Sequence, residues 1–452
     1  MKKSLKFGAI ALAVLLCYVL GSLLLPPAFR PEAKEPVISA GASGERVACI
    51  DDNWDALIWR LRMIESAKDE IILSTFGFST GSSGKDILCA LHAAAERGVQ
   101  VRLLLDGFHG GKTMRNSEAF QTLAAMPNVE LRLYNEIDLL QPWKANYRMH
   151  DKYLIVDNEM YILGGRNTND LFLGEYSATP NIDRDILVWG SGADGSLGQL
   201  RAYFETVWSQ PDCRIYKGET AQSAQDSLRN RYEKLHDTYP DAFGFTDWEA
   251  QTMPANTVAV LTGSPAVGTK APDVWKQLCA YMEAGQDVLI QTPYVICSKE
   301  MYKDLERLCQ DRTVTILTNS PETGANPFGC ADYLNRRDDI LGTGANILEY
   351  AGDHSLHTKT VLIDEHISIV GSFNLDMRSA YIDTETMLVI DCPALNAQLR
   401  RGTEEMAQCS LHIAPDGTEA PGDSYEKATL PFWSGLGITL LRAVEPLFRH
   451  LL

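Results

Sequence analysis

Apolar and polar positions along this chain trace one pattern of elements twice. The first pass opens with an amphipathic segment over 54–67, which predicts a helix. An apolar strand follows over 70–76, then a helix over about 84–97 and a buried strand over 99–105 that ends at Asp106 and Gly107. The second pass keeps the order, with a helix over 275–284 and a strand over 287–291. A helix over 299–309 and a strand over 313–318, ending at Asn319, complete it. Strands that alternate with helices call for parallel βαβ units and an α/β fold. Two passes in one order are most simply a duplicated α/β unit.

The segments outside the two passes read differently. Residues 1–29 carry Lys2, Lys3 and Lys6 ahead of an uncharged stretch from Phe7 to Phe29. Its apolar part, 9–25, is long enough to predict a single membrane-spanning anchor. The lysines place the N-terminus in the cytoplasm and the body outside it, at the cell membrane. Residues 30–45, rich in Pro, Ala, Gly and Ser, read as a linker. The first lobe is expected over 46–212, a polar connector over 213–255 and the second lobe over 256–412. The tail, 413–452, turns apolar again from Leu430. It reads equally as an interfacial amphipathic helix or as a last helix packed on the core.

Composition narrows the function. With 452 residues, 45% apolar and 22% charged, the chain has material for two domains with cores. A net charge of −18 repels polyanions, so no nucleic-acid partner is expected and a nuclease is disfavoured. The ten cysteines show neither a CxxC pair nor zinc spacing, and buried apolar filling accounts for them as well as disulfides do.

The chemistry lies in a motif that also occurs twice. RMHDKYLIVDNEMYILGGRNTND holds His150, Lys152, Asp157, Gly164, Gly165 and Asn167. LHTKTVLIDEHISIVGSFNLDMRS holds His357, Lys359, Asp364, Gly371, Ser372 and Asn374. Both follow H-x-K-x4-D, six residues, then G-[GS]-x-N. His and Lys two apart on a strand share one face. A lone H-x-K means little, and a single strand histidine is usually a core residue. Chance does not explain the same pattern, with its Gly-x-Asn tail, in both halves.

These residue types suit transfer at a phosphodiester. One imidazole can attack phosphorus and hold the phosphoryl group covalently. The other can protonate the leaving alkoxide and then deprotonate the incoming alcohol or water. Lys152, Lys359, Asn167 and Asn374 can neutralise and hydrogen-bond the phosphate oxygens, with Ser372 a further donor. No metal or other cofactor is required. Asp157, Asp364, Gly165 and Gly371 are expected to hold the motif's strands and turns.

The double motif resembles the phospholipase D superfamily. ALHAAAERGVQVRLLLDG, IQTPYVICSKEMYKDLERL, TILTNS and HTKTVLIDEHISIVGSFNLDMRSAYIDTE are similar to the bacterial cardiolipin synthase branch. GGRN with DRDILVWG resembles its C-type subgroup, and the likeness runs over about 50–410. It implies two α/β lobes, each a mixed sheet flanked by helices, with one site at their pseudo-twofold interface. It also implies an acid beside each histidine. Glu385, eleven after Asn374, matches in the second lobe; Asp183 matches in the first, with Asp185 its rival. It further implies His150 as nucleophile and His357 as general acid, then base. Many relatives carry two N-terminal spans where this sequence has one apolar stretch.

The leading expectation is transfer of a phosphatidyl group to phosphatidylglycerol, forming cardiolipin through a phosphohistidine. Phosphatidylglycerol or phosphatidylethanolamine is the donor, met at a bacterial membrane. Hydrolysis of headgroups by the same intermediate is the alternative. A nuclease of the superfamily and a binding module with a decayed site rank below both.

Overall fold

The two passes of alternating strand and helix close into two nine-stranded sheets. The computed structural model describes residues 2–33, 41, 44–430 and 432–452. The first lobe's strands are β1 (Arg46–Ile50), β2 (Glu70–Thr75), β3 (Gln100–Asp106), β4 (Val129–Tyr134) and β5 (Lys152–Val156). Then come β6 (Met160–Gly164), β7 (Asp185–Trp189), β8 (Cys213–Tyr216) and β9 (Met253–Pro254). The second lobe begins with β10 (Thr257–Thr262), β11 (Asp287–Gln291), β12 (Val295–Ile296), β13 (Thr313–Asn319) and β14 (Asn346–Tyr350). It continues with β15 (Thr360–Ile363), β16 (Ile367–Gly371), β17 (Leu375–Asp376), β18 (Thr386–Asp391), β19 (Ser410–Ile413) and β20 (Glu419–Pro421).

The strand orders are the same plan. The first sheet runs β8-β4-β3-β2-β5-β6-β7-β1-β9, and the second, read in the same sense, β20-β19-β14-β13-β11-β15-β16-β18-β10. In each, three central strands are parallel, as the βαβ reading requires, and the strands that follow the motif histidine return antiparallel. Helix starts are set by local chemistry. Asp52 accepts from the N–H groups of Trp54 and Asp55, and Ser298 accepts from Met301.

Three large cores lie among the described residues, beside smaller clusters. One lies under the first lobe's helices and includes Leu57, Leu61, Ile87, Leu91 and Leu103. Its counterpart under the second lobe includes Leu278, Met282, Leu305, Ile316 and Ile369. The third joins the lobes: Ile72, Tyr153, Ile155 and Leu163 of the first sheet meet Val258, Leu289, Leu362 and Val370 of the second. Strands buried on both faces explain why 153–156 and 361–363 read as unbroken apolar runs rather than alternating ones.

Asp157 and Asp364 occupy one structural role twice. Both adopt positive φ, 52° and 48°, a region that Asp tolerates better than most residues. Asp157 accepts from the N–H groups of Lys68, Asp69 and Glu70, and Asp364 from those of Gln286 and Asp287. Each carboxylate thus ties the end of the histidine strand to the start of the neighbouring strand. Replacing Asp157 with alanine leaves those donors without their acceptor. It is expected to cost about 1–3 kcal/mol of stability, read as a shifted denaturant midpoint with an unchanged slope.

Residues 213–255 add to the first lobe: β8 extends its sheet beside β4, and helix Gln222–Thr238 packs Leu228 and Leu235 into its core. In the tail, helix Phe432–Val444 packs through Ile438 and Leu441 on Cys330, Ala331 and Leu334. Its other face leaves Leu436, Leu440 and Val444 exposed. All ten cysteines are free.

The N-terminal segment corrects the expected topology. Among the described residues, no helix is long and apolar enough to cross a membrane, so a single-pass anchor is not supported. The helix over this stretch is Lys2–Leu24. Its end is also held by the body: Asn146 Nδ2 donates to Leu23 O at 2.6 Å and His450 Nε2 lies 2.8 Å from Leu24 O. The placement of the body outside the cytoplasm rested on that anchor and falls with it. Of the expected linker, residues 34–40 and 42–43 lie outside the described residues.

Candidate active site

The ends of the central strands carry the two motifs to the seam between the lobes. There the backbones pair across it. Met149 forms a parallel bridge with Thr384, and Ile182 forms one with Leu356. His150 N donates to Thr384 Oγ1 at 3.1 Å, and His357 N to Ile182 O at 2.7 Å. Each bridge sets a histidine of one lobe beside an acid of the other.

The result is a crossed pair of dyads. His150 Nδ1 lies 2.9 Å from Glu385 Oε1, and His357 Nδ1 lies 2.6 Å from Asp183 Oδ2. A carboxylate at Nδ1 fixes the tautomer and leaves Nε2 for chemistry. Asp183 rather than Asp185 meets the histidine. Asp185 instead pairs with Arg60 at 2.8 Å and Arg166 at 3.4 Å, inside the first lobe.

The residue after each motif glycine fits the acid of its own lobe. At Gly165 a Cβ would come within 2.2 Å of Asp183 Oδ1, so only glycine leaves room for the short acid. At the matching place Ser372 donates its hydroxyl to Glu385 Oε2, while Ser379 donates to Oε1 at 2.6 Å. Ser372 is buried, with its hydroxyl held against Glu385. Gly371 faces a backbone wall, with Thr386 O 2.2 Å from where a Cβ would sit.

The lysines and asparagines face the same seam. Lys152 Nζ and Lys359 Nζ each donate to the carbonyl of their own motif histidine, and Lys359 Nζ lies 2.7 Å from His357 Nδ1. Asn167 Oδ1 accepts from Gly77 N at 3.1 Å, which leaves its amide N–H groups for another partner. Asn374 Nδ2 donates to the Tyr294 hydroxyl at 3.3 Å, and its Oδ1 is buried without a partner.

Electrostatics couple the set. Burial and then Lys152 hold the His150 imidazole well below its ordinary value, with Lys359 and His357 adding to the effect. Burial and Lys359 bring His357 down to about 4. Burial pushes Asp183 up, but Lys359 and His357 outweigh it and bring it to about 2. Burial lifts Glu385 to about 8 against the pull of Lys152 and the two serines. Burial also lowers Lys152 to about 7 and Lys359 to about 8. The lysines crowd the two imidazoles and Asp183 and Glu385 stand behind them, an arrangement in which a phosphodiester could pair with Lys152 and Lys359.

Sequence reasoning missed the layer behind these groups. Asp106 Oδ2 accepts from Met149 N at 3.1 Å, and Asn319 Oδ1 accepts from Leu356 N at 2.7 Å. These strand-end residues position the backbone just ahead of each histidine. Their signal was present, since each stood at the end of the equivalent strand in its pass. Asp151, Thr384 and Tyr203 form a buried cluster beside His150, in which Asp151 Oδ2 accepts from Thr384 Oγ1 at 2.9 Å and from the Tyr203 hydroxyl at 3.0 Å.

Comparison with known proteins identifies relatives of this chain. The chain matches the family described as "Cardiolipin synthase, PLD-like domain" over residues 61–208 and 278–407, one stretch in each lobe. It is 27% identical over 392 residues to cardiolipin synthase C of Escherichia coli K12, covering 77% of this chain and 82% of that one. An uncharacterized protein of Helicobacter pylori 26695 is 28% identical over 406 residues, 80% of each chain. The fold is similar to that of phosphatidylserine synthase from Haemophilus influenzae, with a TM-score of 0.63 at 13% identity over 90% of this chain and 95% of that one. With a family match in each lobe and one histidine motif inside each match, the chain belongs to the cardiolipin synthase, PLD-like domain family.

Proposed function

We propose that this chain is a phosphatidyltransferase that forms cardiolipin from phosphatidylglycerol through a phosphohistidine. The observation that carries the reading is the crossed pair of dyads, which sets two oriented imidazoles and two lysines at one seam. The relatives named cardiolipin synthase support the phospholipid class of the substrate.

In this reading His150 Nε2 attacks the phosphorus of a phosphatidyl donor. The N–P bond forms as the P–O bond to the headgroup breaks, and His357 gives its proton to the departing alkoxide. His357 must first be protonated. Burial and Lys359 hold it near 4. A bound phosphodiester pairs with Lys359 and offsets that depression, so the imidazole takes up a proton as the substrate arrives. In the second half His357 removes a proton from the hydroxyl of phosphatidylglycerol, whose oxygen displaces His150 from phosphorus. Lys152, Lys359, Asn167 and Asn374 hold the phosphate oxygens as charge builds.

The test is product analysis. Purified protein given phosphatidylglycerol vesicles is expected to release cardiolipin and glycerol in equal amounts, resolved by mass spectrometry of the lipid extract. Phosphatidic acid without cardiolipin would make the chain a hydrolase instead.

A further inference from the structure

The two lobes are built alike, yet one connection differs between them and ends at the seam. In the first lobe only Asp51 and Asp52 separate β1 from helix Asn53–Ser66. In the second, residues 263–272 separate β10, the equivalent strand, from helix Asp273–Glu283. The longer connection lies against the first lobe. Tyr134 donates its hydroxyl to Pro265 O at 3.0 Å, and the Tyr147 hydroxyl lies 2.9 Å from Thr269 Oγ1. Tyr134 ends β4, and Tyr147 stands in the run that leads to His150.

This connection brings in a buried lysine that neither motif contains. Lys270 is 6% exposed. Its backbone N–H donates to Tyr381 O at 2.7 Å, and its ammonium donates to Ile382 O. The next three residues, Asp383, Thr384 and Glu385, all reach the run 148–150. Asp383 Oδ1 accepts from Arg148 N at 3.2 Å, Thr384 N donates to Arg148 O at 3.0 Å, and Glu385 meets His150 itself. The place is acidic. Buried Asp383, Asp151 and Glu385 favour the Lys270 ammonium, while Arg378 of helix Met377–Tyr381 opposes it. Burial still brings that ammonium down to about 8. The other cations here are already engaged. Arg378 pairs with Asp383 at 2.9 Å and donates to the carbonyls of Asn146 and Leu451, and Lys152 donates to the carbonyl of His150. Three crowded carboxyls short of positive charge would keep protons instead.

We propose that Lys270 is a positioning residue for the His150–Glu385 dyad: it pins the 381–385 turn to the seam and supplies a positive charge to the acids behind His150. It acts through Glu385 and is not itself a catalytic residue. The proposal rests on the phosphatidyltransferase reading for the reaction that the dyad serves.

Two substitutions separate charge from shape. Lys270→Gln keeps a donor for Ile382 O and removes the charge, whereas Lys270→Arg keeps the charge. The ring nitrogens of His150, followed by nitrogen NMR and assigned by their loss in His150→Ala, report the titration of the dyad as a pair. Removing a nearby positive charge favours every protonated form, so the midpoint in Lys270→Gln is expected to rise by at least about half a pH unit. In Lys270→Arg it is expected to stay within about half a unit of wild type. With phosphatidylglycerol vesicles, Lys270→Gln is expected to lower kcat about tenfold and leave KM within about twofold. If its melting temperature shows that it does not fold, Lys270→Met removes the same charge with a side chain of similar length. A midpoint that the neutral variant leaves in place, one that Lys270→Arg moves as far, or a kcat that the neutral variant does not lower overturns the proposal while the transferase reading stands. A midpoint that moves as expected, in a protein that forms neither cardiolipin nor phosphatidic acid, sinks the transferase reading and leaves Lys270 in its place behind the dyad.

Discussion

Replacing either His150 or His357 with alanine is expected to lower turnover about 10⁴-fold or more, because each imidazole performs a step that no neighbour can take over. Both side chains sit at the seam rather than in a core, and the main-chain bonds that place them, His150 N to Thr384 Oγ1 and His357 N to Ile182 O, survive the change. The melting temperature should therefore stay near that of wild type. Trapping separates the two roles. A substrate with a good leaving group needs little proton donation, so the His357→Ala protein should still become labelled, with the adduct on His150. The His150→Ala protein should not. The resting charges offer a competing assignment: Asp183 is held ionised beside His357, whereas burial of Glu385 lets its pair with His150 keep a proton to give. An adduct on His357 in the quenched protein would select that arrangement and reverse the roles.

The acids behind the histidines should matter nearly as much. In Asp183→Asn the amide can offer its N–H to His357 Nδ1, which moves the imidazole proton to Nε2 and removes the right tautomer. The comparable change in the serine protease triad costs about 10⁴-fold, so a loss of about 10³–10⁴-fold in kcat is expected here. Glu385→Gln should act in the same way on His150, with a smaller loss, since Glu385 already sits high and shares its oxygens with Ser372 and Ser379. The readout that separates orientation from mere packing is the pH profile. Asp183 favours the protonated imidazole, so the variant's His357 should titrate lower and its activity should fall off at lower pH than that of wild type. A loss of activity with an unmoved profile and a lowered melting temperature would make Asp183 a structural residue only.

Much of this was legible because period and order survive in sequence. The strands at 287–291 and the helix at 299–309 needed no correction, and the first-lobe elements shifted by a residue or two at their ends. The motif gave both histidines because chance rarely repeats so long a spacing in both halves of a chain. The crossing of the dyads was not legible. Glu385 follows Asn374 in the chain, and nothing in the spacing says that it reaches across to His150. That Ser372 donates to Glu385 was not legible either, because the contact is a tertiary fact. The N-terminal stretch misled for another reason: hydropathy counts apolar residues without seeing that the end of the segment is hydrogen-bonded to Asn146 and His450.

The exchange of acids between lobes makes docking itself a condition of chemistry. If the lobes part even slightly, both imidazoles lose their orienting partner in the same instant, and the backbone bridges at Met149 and Leu356 open with them. No intermediate state with one working half exists along that path. Heat or denaturant should therefore silence the protein in a single step, set by separation of the seam and not by melting of either sheet. Two separately produced halves should remain inert until mixed, and activity should then report how tightly they recombine.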